Sequence, residues 1–341
     1  MEPSLIVSGS IDTTVRVWRS PKKLCTFKNA GNLRPLLEVL KFLSRKEVIA
    51  VGRVSKKFYE ASFHYEVQPT SRHQEVLKGH TGGVLSVASS GELLVSSSVD
   101  FTIRVWNLFT GQQTQVLEGH SDMVLSVAIS SKTEFIVSGS ADETIKVWSL
   151  ASGKQTLVLN GHSDCVSSVV ISSRDEFLVS GSFDATLRVW NLVSGKQTRI
   201  LRGHEGDVTS VAVSSKDEFV VSGSMDKTVR VWSLVSSGQT LVLKGHTDWV
   251  NSVAVSSRDE FVVSGSGDNT VKLWNLASGK VTRVFRGHTG GVLSVSVSGK
   301  YVVSGGGIGD HSIRVWNIET GEQTQVLQGH TDHIQSVKFI R

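Results

Sequence analysis

Cysteine is nearly absent from this chain: Cys25 and Cys165 are the two in 341 residues. Two thiols that far apart can supply neither the disulfide framework of a small secreted domain nor a zinc cluster, so a reducing intracellular compartment, cytoplasm or nucleus, is expected. No uninterrupted apolar run approaches about eighteen residues and no basic-then-apolar leader stands out, which argues against membrane spanning and secretion and for a soluble chain. Proline is scarce as well, 4 residues against 32 glycines. With a serine- and valine-rich texture, that composition favours many short strands and an all-β fold. Also missing are a unique nucleophile, a metal-ligand cluster and a phosphate loop, so no enzyme activity, metal or cofactor is expected. The glycines of "VSGGGIGDHSIRVW" (303–316) lie between two strands, not at a strand-to-helix turn, and read as an ordinary loop extension.

What is present is a repeat. Gly-His pairs end at His80, His120, His162, His204, His246, His288 and His330, an interval of 40 followed by five of 42. Trp106, Trp148, Trp190, Trp232, Trp274 and Trp316 each stand fourteen residues before one of these histidines, and Trp18 stands alone near the start. Between the landmarks, runs such as "VTSVAVS", "FVVSGS" and "TVRVW" alternate apolar and polar residues around turn clusters, so each unit reads as four short antiparallel strands, a to d. Such sheets are apolar on both faces and must stack on a neighbour on each side, which a closed ring provides.

The "GH … SGSxDxTxRVW" phrase resembles the WD repeat of β-propeller blades, and the likeness covers all but about fifty residues. It implies that a histidine, serine, aspartate and tryptophan in each unit form a structural hydrogen-bonded network. The sets are His80, Asp100 and Trp106; His120, Asp142 and Trp148; His162, Asp184 and Trp190; His204, Asp226 and Trp232; His246, Asp268 and Trp274; His288, Asp310 and Trp316. A Ser/His/Asp set could suggest a catalytic triad, but nucleophilic catalysis needs one activated site rather than a copy per blade. The C-terminus supplies only strand a, and the N-terminus begins at strand b. A seven-bladed β-propeller is therefore expected, its N- and C-terminal strands sharing one blade and Asp12 and Trp18 joining His330 across the termini. Nothing in the pattern calls for more than a monomeric propeller.

Residues 20–72 break the repeat, between strands b and c of the closing blade (1–19) and the remainder of the propeller (73–341). "HQEVLKGH" (73–80) reads as the missing strand d, although "KLCTFKN" (23–29) is an alternative. Leu36, Val39, Leu40 and Leu43 form one helical stripe, and Val48, Val51, Val54 and Phe58 form a second after a Ser44/Glu47 capping box, giving a small α-helical insertion. This stretch resembles an F-box, which implies that the first four residues contact a Skp-type adaptor of a cullin-RING ubiquitin ligase, with the second four holding the helices together or extending that contact. The alternative is a helical decoration with no ligase partner. Residues 19–72 carry twelve Lys/Arg and four Asp/Glu, a net of +8, leaving 5 − 8 = −3 elsewhere. That patch suits an acidic protein surface; without an aromatic platform or a reading helix, nucleic acid is a weak alternative.

Positions that vary among the copies are freed from the shared framework. By analogy with the family they ring the top of the central channel: Ile11, Leu85, Val99, Met123, Leu125, Phe183, Met225, Trp249, Leu293 and His333, with Ala141, Cys165, Ser167, Asp207, Thr209, Asn251, Gly267, Gly309 and Gln335. The set is largely apolar and contains no Arg or Lys, which argues against a phosphopeptide and for an apolar or uncharged peptide, with the methionines lending adaptability. The same residues could instead simply plug the channel mouth. If the insertion leaves from the opposite face, the chain reads as a substrate adaptor holding ligase below and target above; otherwise it is a WD-repeat scaffold.

Overall fold

The computed structural model describes residues 5–19, 23–27, 65–69, 74–236 and 239–340. The β-branched alternation folds as expected: among these residues there are seven four-stranded antiparallel sheets and no helix. Blades one to six span 84–117, 124–159, 166–202, 208–244, 250–286 and 292–327. The closing sheet has the order Ile334–Ile340, Leu5–Ser10, Thr14–Arg19, Gln74–Lys78. Its joint is a full antiparallel ladder, with Leu5 opposite Ile340, Val7 opposite Lys338 and Gly9 opposite Ser336. Both chain ends therefore lie within one sheet, as the split repeat implied.

Burial follows strand position. The second strand of a blade is almost wholly buried and the outer fourth strand is mostly exposed, as in Phe135–Ser140 against Gln155–Leu159. The polar outer strands cover the free sheet edges with side chains that discourage edge pairing. Apolar residues of one blade pack on the next: Val137, Ile145 and Val147 share a core with Val166, Val169, Leu178 and Trp190. At about 25 cal/mol per Å² of apolar surface, each such interface is a principal source of stability.

Two further devices join the blades. In every first strand a Ser-Val pair recurs, and the valine amide donates to the serine hydroxyl of the preceding blade. The series runs Val127 to Ser86, Val169 to Ser126, Val211 to Ser168, Val253 to Ser210, Val295 to Ser252 and Val337 to Ser294, then closes through Val87 to Ser336, all at 3.0–3.3 Å. Donors that a sheet edge would leave open are thereby satisfied around the whole channel. The second device is steric. A Cβ on Gly139, Gly181, Gly223 or Gly265 would lie 2.6–2.7 Å from a valine Cγ1 of the next blade, so only glycine allows that approach.

Within the insertion the described residues hold one further pair of strands. Lys23–Phe27 pairs antiparallel with Tyr65–Pro69 as a separate two-stranded sheet, Lys23 opposite Pro69 and Phe27 opposite Tyr65. "KLCTFKN" is therefore not the outer strand of the closing blade; Gln74–Lys78 is. The β-favouring composition of both segments, rich in Thr, Phe, Tyr, Val and Cys, accounts for the pairing. The two stripes, Leu36, Val39, Leu40 and Leu43 with Val48, Val51, Val54 and Phe58, lie outside the described residues.

Blade one breaks the glycine rule. Ser97 occupies the position held by glycine in the other blades, fully buried, and its hydroxyl has no partner. An unsatisfied buried hydroxyl costs about 1–3 kcal/mol, more than the extra chain entropy of glycine. Ser97→Gly is therefore expected to stabilise the protein by about 1 kcal/mol, seen as a small rise in Tm; a fall would show that the hydroxyl is satisfied in solution.

Candidate functional site

Each network set forms a continuous hydrogen-bonded chain. The indole Nε1 of Trp106, Trp148, Trp190, Trp232, Trp274 and Trp316 donates to the serine of its own blade at 2.7–2.9 Å. Those serines meet His Nε2 at 2.7–2.8 Å, and His Nδ1 meets Asp Oδ2 at 2.6–2.8 Å. Indole can only donate, so the serine oxygen accepts from it, and the histidine links that oxygen to the carboxylate through its two ring nitrogens. In the closing blade, His330 bridges Ser8 and Asp12 at 2.8 Å on either side, and Trp18 is buried. The histidine and indole rings lie 5.8–6.4 Å apart. Glycine precedes each histidine because the indole crowds it: a Cβ on Gly79 would be 2.9 Å from Trp106.

These residues resemble a triad in distance but not in access. The network serines are fully buried and already hold an indole N–H, so no hydroxyl faces a substrate. Burial by itself would raise the aspartates' pKa values. Hydrogen bonds from histidine, from the threonine or serine two residues on and from a backbone amide outweigh it and hold the carboxyls well below the usual range, Asp100 at about 2. Burial pushes His80 and His330 down, against the raising effect of Asp100 and Asp12. Among the described residues, no group of three His, Cys, Asp or Glu is placed to hold a metal ion.

At one end of the channel the variable positions face each other in hydrogen-bonded pairs. The residue three after each histidine accepts from the amide of a residue at the end of the second strand, at 2.7–3.1 Å: Gly83 with Val99, Met123 with Ala141, Cys165 with Phe183, Asp207 with Met225, Trp249 with Gly267, Gly291 with Gly307 and His333 with Ile11. In blades two, three and five a large side chain faces a small one. Gly307, not Gly309, holds this register in blade six, because Ile308 and Gly309 form the loop extension. Of the ten top-face residues predicted to meet a partner, Trp249 is exposed at 51%, while Ile11, Leu85, Val99, Met123, Leu125, Phe183, Met225, Leu293 and His333 are half-buried.

Some of this variation is structural after all. At the position of Leu85, Leu125 and Leu293, the other blades carry Ser167, Thr209 and Asn251, which donate to the next blade's Val208, Val250 and Val292 carbonyls. Two exposed apolar residues at this end escaped the sequence reading: Phe101, at 43%, and Ile308, at 76%. Phe101 occupies the turn position held elsewhere by Glu143, Ala185, Lys227 or Asn269, and that contrast was the available signal. Ile308 sits in the glycine-rich extension, whose ring of His311 stacks on His333 at 5.8 Å. At the opposite end the seven first strands enclose a cavity of about 660 Å³ walled by Ile129, Ile171, Val213 and Val255.

The family follows from this arrangement. Residues 71–107, 111–149, 153–191, 195–233, 237–275 and 279–317 match the WD domain, G-beta repeat family. The chain is a WD-repeat protein. Each matched unit runs from the outer strand of one blade to the third strand of the next. The seventh unit is divided between the chain ends and lies outside the match, and the matched family includes no F-box. This WD-repeat protein is 31% identical over 153 residues to the WD repeat-containing protein pop2 of Schizosaccharomyces pombe, covering 36% of this chain and 21% of that one. Against Cell division control protein 4 of Saccharomyces cerevisiae it is 29% identical over 142 residues, 36% of this chain and 18% of the relative. Against E3 ubiquitin-protein ligase COP1 of Pisum sativum it is 27% identical over 139 residues, 39% and 19%. The matches span about a fifth of the length of these relatives.

Asp184→Ala leaves His162 Nδ1, the amides of Ser163 and Thr186 and the Thr186 hydroxyl without their acceptor. A loss of about 2–4 kcal/mol is expected in denaturant unfolding, with partner specificity unchanged. Depressed folded-state pKa values place the stability from both histidines and carboxylates on the alkaline side. Tm should hold near neutral pH, begin to fall below about 6.5 as His80 and His330 are forced to charge, and fall steeply below about 4 as the network aspartates protonate. Tm measured by circular dichroism from pH 8 to 3 checks this; a rise on acidification from pH 7 to 5 contradicts it.

Proposed function

We propose that this WD-repeat protein is a substrate-recognition adaptor of a Skp/cullin/F-box ubiquitin ligase, acting by binding and without chemistry of its own. The propeller is a protein-interaction scaffold, and the Trp249-centred end of its channel carries the recognition half of the reading: a half-exposed indole among partly buried methionine, leucine and phenylalanine side chains is the composition of an interface hot spot. Support for the ligase half comes from the F-box-like spacing of Leu36, Val39, Leu40 and Leu43 and from similarity to a relative named as a ubiquitin-protein ligase. In this reading the ligase's catalytic partners transfer ubiquitin while the propeller holds the target, in the cytoplasm or nucleus. The second reading, a WD-repeat scaffold with no ligase role, rests on the six WD-repeat matches, all of which lie beyond residues 36–58.

Co-precipitation of the full chain with a Skp-type adaptor separates the two. The adaptor reading expects capture that Leu40→Asp abolishes while Trp249→Ala leaves it intact, and target capture with the opposite sensitivity. Failure of the unaltered chain to bind the adaptor leaves the scaffold.

A further inference from the structure

The loops leading into the first strands hold one charge sign. Asp122, Asp164, Glu205, Asp207, Asp248 and Asp332 lie between a Gly-His pair and the strand that follows, and none of these loops contains Lys or Arg. They differ from the network aspartates, five of which have an Arg or Lys nitrogen within 3.7–3.9 Å. Among the described residues, the one ion pair made by a loop acid is Asp332 with its neighbour His333. The other loop acids thus hold no basic side chain within ion-pair distance among the described residues, and they coincide with apolar surface. Asp122, Asp164 and Asp248 each immediately precede one of the paired positions, Met123, Cys165 and Trp249, while Asp207 faces Met225. The Asp248 carboxylate lies beside Gly267, one of the paired positions: a Cβ on Gly267 would be 2.8 Å from its oxygen. Blades one and six carry Thr-Gly-Gly in these loops and have neither acid nor large side chain there, so acids and anchors coincide along the arc from blade two to blade five, with Asp332 of the closing blade as a further acid outside it.

We propose that this arc binds an extended peptide segment in which arginine or lysine alternates with apolar side chains, the cations meeting the loop carboxylates and the apolar groups meeting Trp249, Phe183 and the two methionines. The inference rests on the reading of this face as the recognition surface and replaces the uncharged peptide expected from the sequence. Apolar contact supplies affinity, while the acids set charge preference and speed encounter. A phosphorylated segment is disfavoured by the same field.

The test uses the full chain and three fluorescein-labelled octapeptides, alternating leucine with arginine, glutamine or glutamate, titrated by anisotropy. The arginine peptide should bind at least about ten-fold more tightly than the glutamine one and weaken steadily as salt rises, with the glutamate peptide weakest. Replacing Asp122, Asp164, Asp248 and Asp332 together with Asn keeps the Oδ1 acceptor for the following amide and removes the charge. That variant should lose most of the preference for arginine, and Trp249→Ala should weaken the arginine and glutamine peptides alike. Equal binding of the arginine and glutamine peptides, both lost in Trp249→Ala, overturns the charge inference and leaves the recognition face standing. Arginine binding unchanged by Trp249→Ala, or no binding by any peptide, removes both. Should the quadruple variant fail to fold, the peptide series and salt dependence on the unaltered chain still decide.

Discussion

A tryptophan indole has one proton to give and no lone pair to accept with, and burying it obliges the protein to provide an acceptor. Here that acceptor is a serine, whose oxygen also meets a histidine ring nitrogen, and the other ring nitrogen meets a carboxylate. Burial of the indole thereby commits three further polar side chains to one network. In Asp184, for example, the carboxylate also collects two backbone amides and a threonine hydroxyl, so one buried relay ties the third strand, the second strand, the turn between them and the incoming loop. The blade is rigid because these groups cannot be satisfied separately.

Relays hold blades; they do not hold a ring. The ring depends on the Ser-Val pair, whose hydroxyl accepts an amide from the next blade, and on glycines that let a neighbouring valine approach. Both features are unremarkable within a single repeat, because their partners lie in the adjacent one. Since the last of the amide bonds runs from Val87 to Ser336, closure uses the same contact as every other junction. The two termini are held by ordinary sheet pairing, and no special clasp is needed.

With the framework repeated seven times, function has to reside where the copies differ. Difference alone is an imperfect guide. Ser167, Thr209 and Asn251 vary because several side chains can bridge to a neighbouring carbonyl, whereas Trp249, paired with Gly267 through the backbone alone, sends its indole to solvent. Loop acids without a basic partner among the described residues add a second property to the same arc, and the two together describe a partner more narrowly than either does.

Periodicity determined the all-β class, the number of blades and the meeting of the chain ends, because a 42-residue spacing of Gly-His and Trp reports a unit that must stack to bury both faces, while the resemblance to WD repeats implied the network members. It also marked residues 20–72 as foreign. Tertiary structure decided what depends on contacts between repeats: the serine-to-amide ring, the register of Gly307, the pairing of Lys23–Phe27 with Tyr65–Pro69, and which variable side chains reach solvent. Local spacing encodes a blade because a blade's partners are near in sequence. The surface shared by several blades is assembled from loops some forty residues apart, and only closing the ring brings their charges and rings to one place.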